Sequence, residues 1–302
     1  MLPKENVRTT FSIHFKNKSH KPYKSPVSIM KSIQNTVLSV IIAIITFLLS
    51  SCSVHINKLE EGTITTKAVS VNSFDKLQVQ DGIDVVYTIS DSTSIMLEAG
   101  ENVINNVCFE VNSSNVLTIS YNNHPNKDRF NIINFNSPSP NVKAYIASAP
   151  ILAVEINGAG TFNCKDSLAT DNFQASVTGS GDVYVKKLVT FTLNNSITGS
   201  GKIVIDDADI RSAEFTIAGS GYISTSLRNA ELTKLDISGS GNMDVDFFNC
   251  KNVSANIAGS GNFNLSGSVT SLDSGIAGVG GIETNKLSTG VPYKSPEHPE
   301  EK

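Results

Sequence analysis

Tryptophan is absent from the 302 residues, tyrosine occurs seven times, and cysteine and methionine four times each. So few aromatics leave little to stack on a base or a sugar ring. Lysine and arginine (24) do not outnumber aspartate and glutamate (28), and the net charge is −4. The basic footprint that a phosphate backbone demands is missing, so nucleic acid is not expected as a partner. The five histidines are His14, His20, His55, His124 and His298. All lie outside the repeat described below, which removes a histidine base or metal ligand from it. Cys52, Cys108, Cys164 and Cys250 are too widely and irregularly spaced for a disulfide framework or a zinc-ligand set. Cys108, Cys164 and Cys250 therefore read as small buried apolar residues. No apolar run is long enough to cross a bilayer comfortably.

What is abundant is glycine, with Ser, Thr, Asn, Val and Ile, a mixture that favours strands separated by tight turns. The glycines are periodic. Gly158 and Gly160 are followed by Gly179 and Gly181, Gly199 and Gly201, Gly219 and Gly221, Gly239 and Gly241, Gly259 and Gly261, and Gly278 and Gly280, at intervals of 21, 20, 20, 20, 20 and 19 residues. Two residues before each pair stand Ile156, Val177, Ile197, Ile217, Ile237, Ile257 and Ile276. Two residues after each pair stand Phe162, Val183, Ile203, Ile223, Met243, Phe263 and Ile282. Leu152, Phe173, Leu193, Val253 and Leu272 extend the inward set, and Thr161, Asp182, Lys202, Tyr222, Asn242 and Asn262 form a polar outward column.

Such alternation on both sides of a turn is the two-residue period of strands. One unit cannot bury its own apolar row, whereas units stacked at about 4.8 Å would. The pattern predicts an all-β fold: a single-stranded parallel β-helix of about twenty residues per coil, covering residues 67–290. A polar stretch of about eight residues is expected to lead from each second strand to the next coil. One glycine of each pair is expected to need positive φ, the other to lack room for a side chain, with the serine between them bonding to neighbouring backbone. Propellers and leucine-rich repeats do not fit the period. An antiparallel meander of hairpins is the competing arrangement. The pattern does not fix the hand, and a right-handed coil is expected.

Ahead of the repeat, Val37 to Leu49 is almost wholly apolar, preceded by Lys31 and ended by Leu49-Ser50-Ser51-Cys52. That order of charge, apolar run and small residues is a secretory signal. Its end resembles the lipobox of bacterial lipoproteins, which implies cleavage before Cys52 and acylation of that residue, including palmitate. Residues 31–52 are thus read as signal peptide and lipobox, and residues 1–30 as an extension ahead of a start at Met30. An uncleaved membrane anchor is the other reading. Residues 53–66 are expected to be a polar tether, 122–141 a surface insertion rich in Asn, Ser and Pro, and 291–302 a polar tail. Ser53, rather than Asp, resembles lipoproteins sorted to the outer membrane.

Between tether and repeat, strands are predicted at 74–79, 85–89, 95–99 and 116–121, with turns at Asp81-Gly82 and Asn112 to Asn115. Phe74-Asp75-Lys76-Leu77, then Asp81-Gly82-Ile83-Asp84-Val85-Val86-Tyr87, Leu117-Thr118-Ile119 and the Gly-Ser-Gly units resemble the family described as putative autotransporter adhesin, head GIN domain. The resemblance spans about residues 70–285. It implies a β-helix on a secreted or lipid-anchored bacterial protein. Gly82-Ile83-Asp84 stands where the family has Gly-Ile-Asn.

No catalytic, metal or cofactor motif is found. Asp206 and Asp246 share an outward column with Ser226 between them, and Asp244 is flanked by Ser224 and Asn264, so these acids read as a solvated surface. Asp206-Asp207-Asp209 is a weak candidate for calcium. The expected function is a non-enzymatic, lipid-anchored cell-envelope protein, a surface adhesion or binding module with a protein or glycan ligand. A structural or stress-related envelope protein is the alternative, and a polysaccharide-active enzyme the third. The oligomeric state is left open.

Overall fold

In the computed structural model, residues 62–121 and 141–294 can be described, and they form one 17-stranded sheet with a single 3-10 turn at Ile104–Asn106. The signal, Cys52, the first part of the tether, the insertion except Asn141, and the tail beyond Lys294 lie outside the described residues.

The amino-terminal strands are β1 (Ile64–Val69), β2 (Lys76–Asp81), β3 (Ile83–Ile89), β4 (Ser94–Gly100), β5 (Val107–Val111), β6 (Val116–Tyr121) and β7 (Val142–Ser148). The four predicted strands are β2, β3, β4 and β6, with ends moved by at most two residues. β1 and β5 were not anticipated. β1 takes in Ile64 to Thr66, expected to be tether, and its mostly exposed side chains give no apolar alternation to read. β2 and β3 make a coil that is stacked on both sides. β6 and β7 run parallel to it on one side (Val79 beside Ile119, Ile83 beside Val142), and the first glycine-turn coil runs parallel on the other. β4, β5 and β1 then close that end by antiparallel pairing to β7, β6 and β4. The stack thus begins with β2, β3, β6 and β7 in parallel, and the antiparallel cap of β4, β5 and β1 ends it against water.

Beyond the cap follow β8 (Ala153–Gly158), β9 (Thr161–Ala169), β10 (Asn172–Gly179), β11 (Asp182–Gly199), β12 (Lys202–Gly219), β13 (Tyr222–Arg228), β14 (Leu232–Gly239), β15 (Asn242–Gly259), β16 (Asn262–Gly278) and β17 (Gly281–Ser288). Each but the last, β17, pairs in parallel with the stretch one coil later, with Gly158, Gly179, Gly199, Gly219, Gly239, Gly259 and Gly278 in register. The fold is thus the predicted parallel β-solenoid, about seven turns of about twenty residues. Ile197 lies beside Ile217, and Ile217 beside Ile237, all essentially buried. Truncating any one of such stacked side chains to alanine would cost about 2–5 kcal/mol.

The expected polar lead-out is wrong. Pairing of β11 with β12 is interrupted only at 186 and 191, so the chain bends there and forms a third side of each coil. That side buries Leu168, Leu188, Ala208, Leu227 and Phe247. It looked polar because it is short and carries Lys, Asp and Arg at its corners. The inward set also differs at the margins: Leu152 is only half-buried, and Ile276 is 48% exposed because no coil lies beyond it.

The turn is held by the backbone. The Ser220 amide donates to the Gly199 carbonyl at 2.8 Å, and Ser200, Ser240 and Ser260 repeat the bond at 2.8 Å. The serine thus contributes its main-chain amide to the ladder. The first glycine carries the positive φ, +131° at Gly219. The second has no such φ, but a Cβ at Gly221 would come within 2.6 Å of Ile197 Cγ2.

The other end of the solenoid differs from the capped one. Among the described residues, Ser271 to Gly278 and β17 have a sheet neighbour on one side only, β15 and β16 respectively. After β17 the Gly290 amide donates to the Thr270 carbonyl (3.0 Å) and the Val291 amide to the Val269 carbonyl (3.2 Å), which completes the last coil. The chain then turns back along the preceding coils. Tyr293 Oη donates to the Asn229 carbonyl (3.2 Å), and the Lys294 amide donates to Asn249 Oδ1 (2.9 Å).

Candidate functional site

The side of the coils that follows the glycine turn carries a groove of 580 Å³. Its first coil contributes Asp206 and the next Ser224 and Ser226; Asp244 and Asp246 lie on its central strand, and Glu283 on its last. The strands place these residues in adjoining outward rows, with Ser224 beside Asp244 and Asn264, and Ser226 beside Asp246 and Ser266.

The three aspartates are held by neighbouring side chains. Tyr184 Oη donates to Asp206 Oδ2 and Tyr222 Oη to Asp244 Oδ2, each at 2.5 Å. Asn264 Nδ2 donates to Asp244 Oδ1 at 2.6 Å, and Ser266 Oγ to Asp246 Oδ1 at 2.8 Å. The hydrogen bond to Asp206 holds the Tyr184 hydroxyl above its ordinary pKa. At Tyr222 burial raises it first and the bond to Asp244 second. Lys202 Nζ sits 5.3 Å from the centre of the Tyr222 ring, a favourable cation–π placement. The groove is a network of acceptors and donors fixed by neighbouring coils, with Lys286 the lone cation among its lining residues.

Sequence reasoning took these acids for a solvated surface and did not pair the tyrosines with them. The signal was present: both Tyr–Asp pairs have a spacing of 22 residues, one coil plus two. The calcium candidate is dispersed, because its three carboxylates take different partners. Asp206 accepts from Tyr184, Asp207 meets Arg228 Nε at 2.5 Å, and Asp209 accepts from Asn229 Nδ2 at 2.9 Å. Arg228 also lies 5.3 Å from the centre of the Phe248 ring.

Gly82, Ile83 and Asp84 are structural. Asp81, at φ +64°, lies in register with Gly158, so Asp81-Gly82-Ile83 is the turn of the coil above it. Ile83 is fully buried, and Asp84 Oδ1 accepts from Thr161 Oγ at 2.7 Å. Cys164 and Cys250 are buried as expected, with burial raising each thiol to about 11, while Cys108 is half-buried. At the capped end of the same side, Val86, Tyr145, Met96 and Ala68 stand in one row across four strands, lining an apolar depression of 390 Å³. The outward surface thus changes from apolar at the cap to acidic at the open end.

A family model described as "Putative auto-transporter adhesin, head GIN domain" matches residues 73–246 and 213–291. No curated protein sequence matches the chain. The crystal structure of a putative adhesin from Bacteroides fragilis shares 22% identity over 73% of this chain and 96% of its own, with a TM-score of 0.62. A putative adhesin from Parabacteroides distasonis is 22% identical over 74% of this chain and 97% of its own, at a TM-score of 0.59. A putative lipid binding protein from the same species is 21% identical over 74% of this chain and 96% of its own, also at 0.59. These likenesses establish the shared fold.

Proposed function

The chain belongs to the family described as putative auto-transporter adhesin, head GIN domain, and we propose that it is a non-enzymatic binding module of the cell envelope, tethered by a lipid on Cys52 at the outer membrane. The groove lined by Asp206, Asp244 and Asp246 carries this reading. Carboxylates, amides and serine hydroxyls held by cross-coil bonds form a preorganised acceptor and donor surface on rigid strands, the arrangement that orients a polyhydroxylated ligand at little entropic cost. Four acids against one lysine among the lining residues disfavour an anionic glycan and favour a neutral or amine-bearing one.

The test is a glycan array probed with the purified chain. Binding to neutral or amino sugars is expected, lost in Tyr222→Phe/Asp244→Asn while the circular dichroism spectrum is retained. Binding that survives those substitutions removes the groove from the reading, silence across the array favours the structural role, and release of new sugar ends would make the protein an enzyme. For the anchor, incorporation of an alkyne-tagged palmitate that Cys52→Ala abolishes is the expected result. Incorporation unchanged by Cys52→Ala would refute it.

A further inference from the structure

The two ends of the solenoid are built differently. One is closed by β1, β4 and β5, whereas β17 and the stretch from Ser271 to Gly278 offer an edge of backbone amides and carbonyls that is unpaired among the described residues. An edge of this kind is a template for another strand. The described end of the chain, Tyr293 and Lys294, does not take that place, since it is bonded along the preceding coils at Asn229 and Asn249.

The sequence of β17, Gly-Ile-Glu-Thr-Asn-Lys-Leu-Ser, is complementary to itself when reversed. Pairing with β16 shifts register between Glu283 and Lys286, so the bulge at Thr284 and Asn285 resets the alternation. Ile282 and Leu287 therefore both pack against the core, while Glu283 and Lys286 both project outward. Among the described residues neither charge has an ion-pair partner.

We propose that this edge is where a second copy of the chain binds, β17 against β17 in antiparallel register about a twofold axis. Ile282 then lies opposite the second copy's Leu287 and Glu283 opposite its Lys286, with the two Thr284-Asn285 bulges facing each other. Each opposition occurs twice by symmetry, as an isologous interface requires. Continuing the same register carries Val279, 85% exposed, onto the second copy's Gly290 and beside its Val291, 37% exposed. The sheet becomes continuous across the pair, and Glu283, Asn285 and Lys286, which line one end of the groove, become its shared centre. Because the described chain enters at the capped end, the pairing joins two molecules at the tips farthest from that entry. Given the lipid anchor read at Cys52, two tethered molecules could meet tip to tip. The pairing itself depends neither on the anchor nor on what the groove binds.

The experiment is sedimentation equilibrium of the purified chain with charge reversals. The unaltered chain is expected to dimerise. Glu283→Lys alone and Lys286→Glu alone each set two like-charged oppositions against each other and should weaken association about ten- to hundredfold. The double reversal restores both oppositions and should restore the dimer. A chain that stays monomeric over roughly micromolar to hundred-micromolar concentrations, a dimer indifferent to the single reversals, or a loss that the double reversal does not rescue would each overturn the proposal.

Discussion

Replacing Gly219 with alanine tests the geometry on which the solenoid rests. At φ +131° a residue with a Cβ is strained by about 1–3 kcal/mol. The new Cβ would also stand 2.4 Å from the Gly199 carbonyl oxygen. Ordinary contact needs roughly 1 Å more, and the same oxygen accepts the Ser220 amide at 2.8 Å. Relief therefore lengthens a ladder bond worth about 0.5–1.5 kcal/mol and loosens the stacking of Ile217 on Ile197. Together these make about 2–5 kcal/mol, or roughly 4–20 °C in the melting temperature of a domain of this size. Gly221→Ala is the internal control. Its φ is ordinary and its Cβ meets Ile197 Cγ2 at 2.6 Å and the Gly201 carbonyl at 3.0 Å, an overpacking cost of about 1–3 kcal/mol. Equilibrium unfolding in guanidinium, followed by far-ultraviolet circular dichroism, gives both values. If Gly219→Ala costs less than Gly221→Ala, or under about 1 kcal/mol, the account of why each position is glycine fails.

Asn195 is 2% exposed in an inward column between Ala175 and Phe215, and neither side-chain amide atom has a hydrogen-bond partner among the described residues. Asn195→Leu should therefore raise stability by about 1–3 kcal/mol, and a loss of stability in the same unfolding assay would show that the amide is satisfied in solution. Cys164 and Cys250 rise from 9.0 to about 11 through burial, and Tyr87 from 10.0 to about 12. Between those limits the unfolded chain releases protons that the folded chain keeps, so stability should be constant below about pH 9 and fall as pH climbs toward 11. Each cysteine contributes on the order of 2 kcal/mol, and Cys164→Ala/Cys250→Ala should flatten the decline seen in a pH series of unfolding curves. In the native protein Cys108 should react with a thiol reagent well before Cys164 or Cys250, and equal rates would mean that the buried sites open readily.

Most of the fold was readable because a twenty-residue period places like on like. The glycine pairs and the aliphatic columns around Ile197 and Ile217 needed only spacing and the alternation of strands. The third side was not readable, since three to four residues between corners are too few to show alternation, and Leu188, Ala208 and Leu227 sit among charges. Thr233 and Asn195 occupy inward positions that polarity argued against. The cap escaped because β1 and β5 are held by antiparallel neighbours rather than by the repeat.

The groove was legible in principle, and the reason extends to the rest of the surface. Once the coils are in register, a sequence offset becomes a spatial vector: 20 residues is the neighbour directly above, and 22 the diagonal one. The side-chain bonds obey this, from Lys234 Nζ to Glu214 Oε1 (2.8 Å, offset 20) and Arg228 to Asp207 (offset 21) to the two Tyr–Asp pairs (offset 22). Scanning outward positions for complementary groups at those offsets recovers the network that binary patterning discards as surface. The same arithmetic isolates β17, whose outward charges have a coil on one side only. Lys286 lies beside Ser266 and Glu283 beside Asn264, so neither charge is answered within the ladder. Reversing the strand's direction is the operation that brings acid opposite base and Ile282 opposite Leu287, and a twofold axis at the open end supplies it.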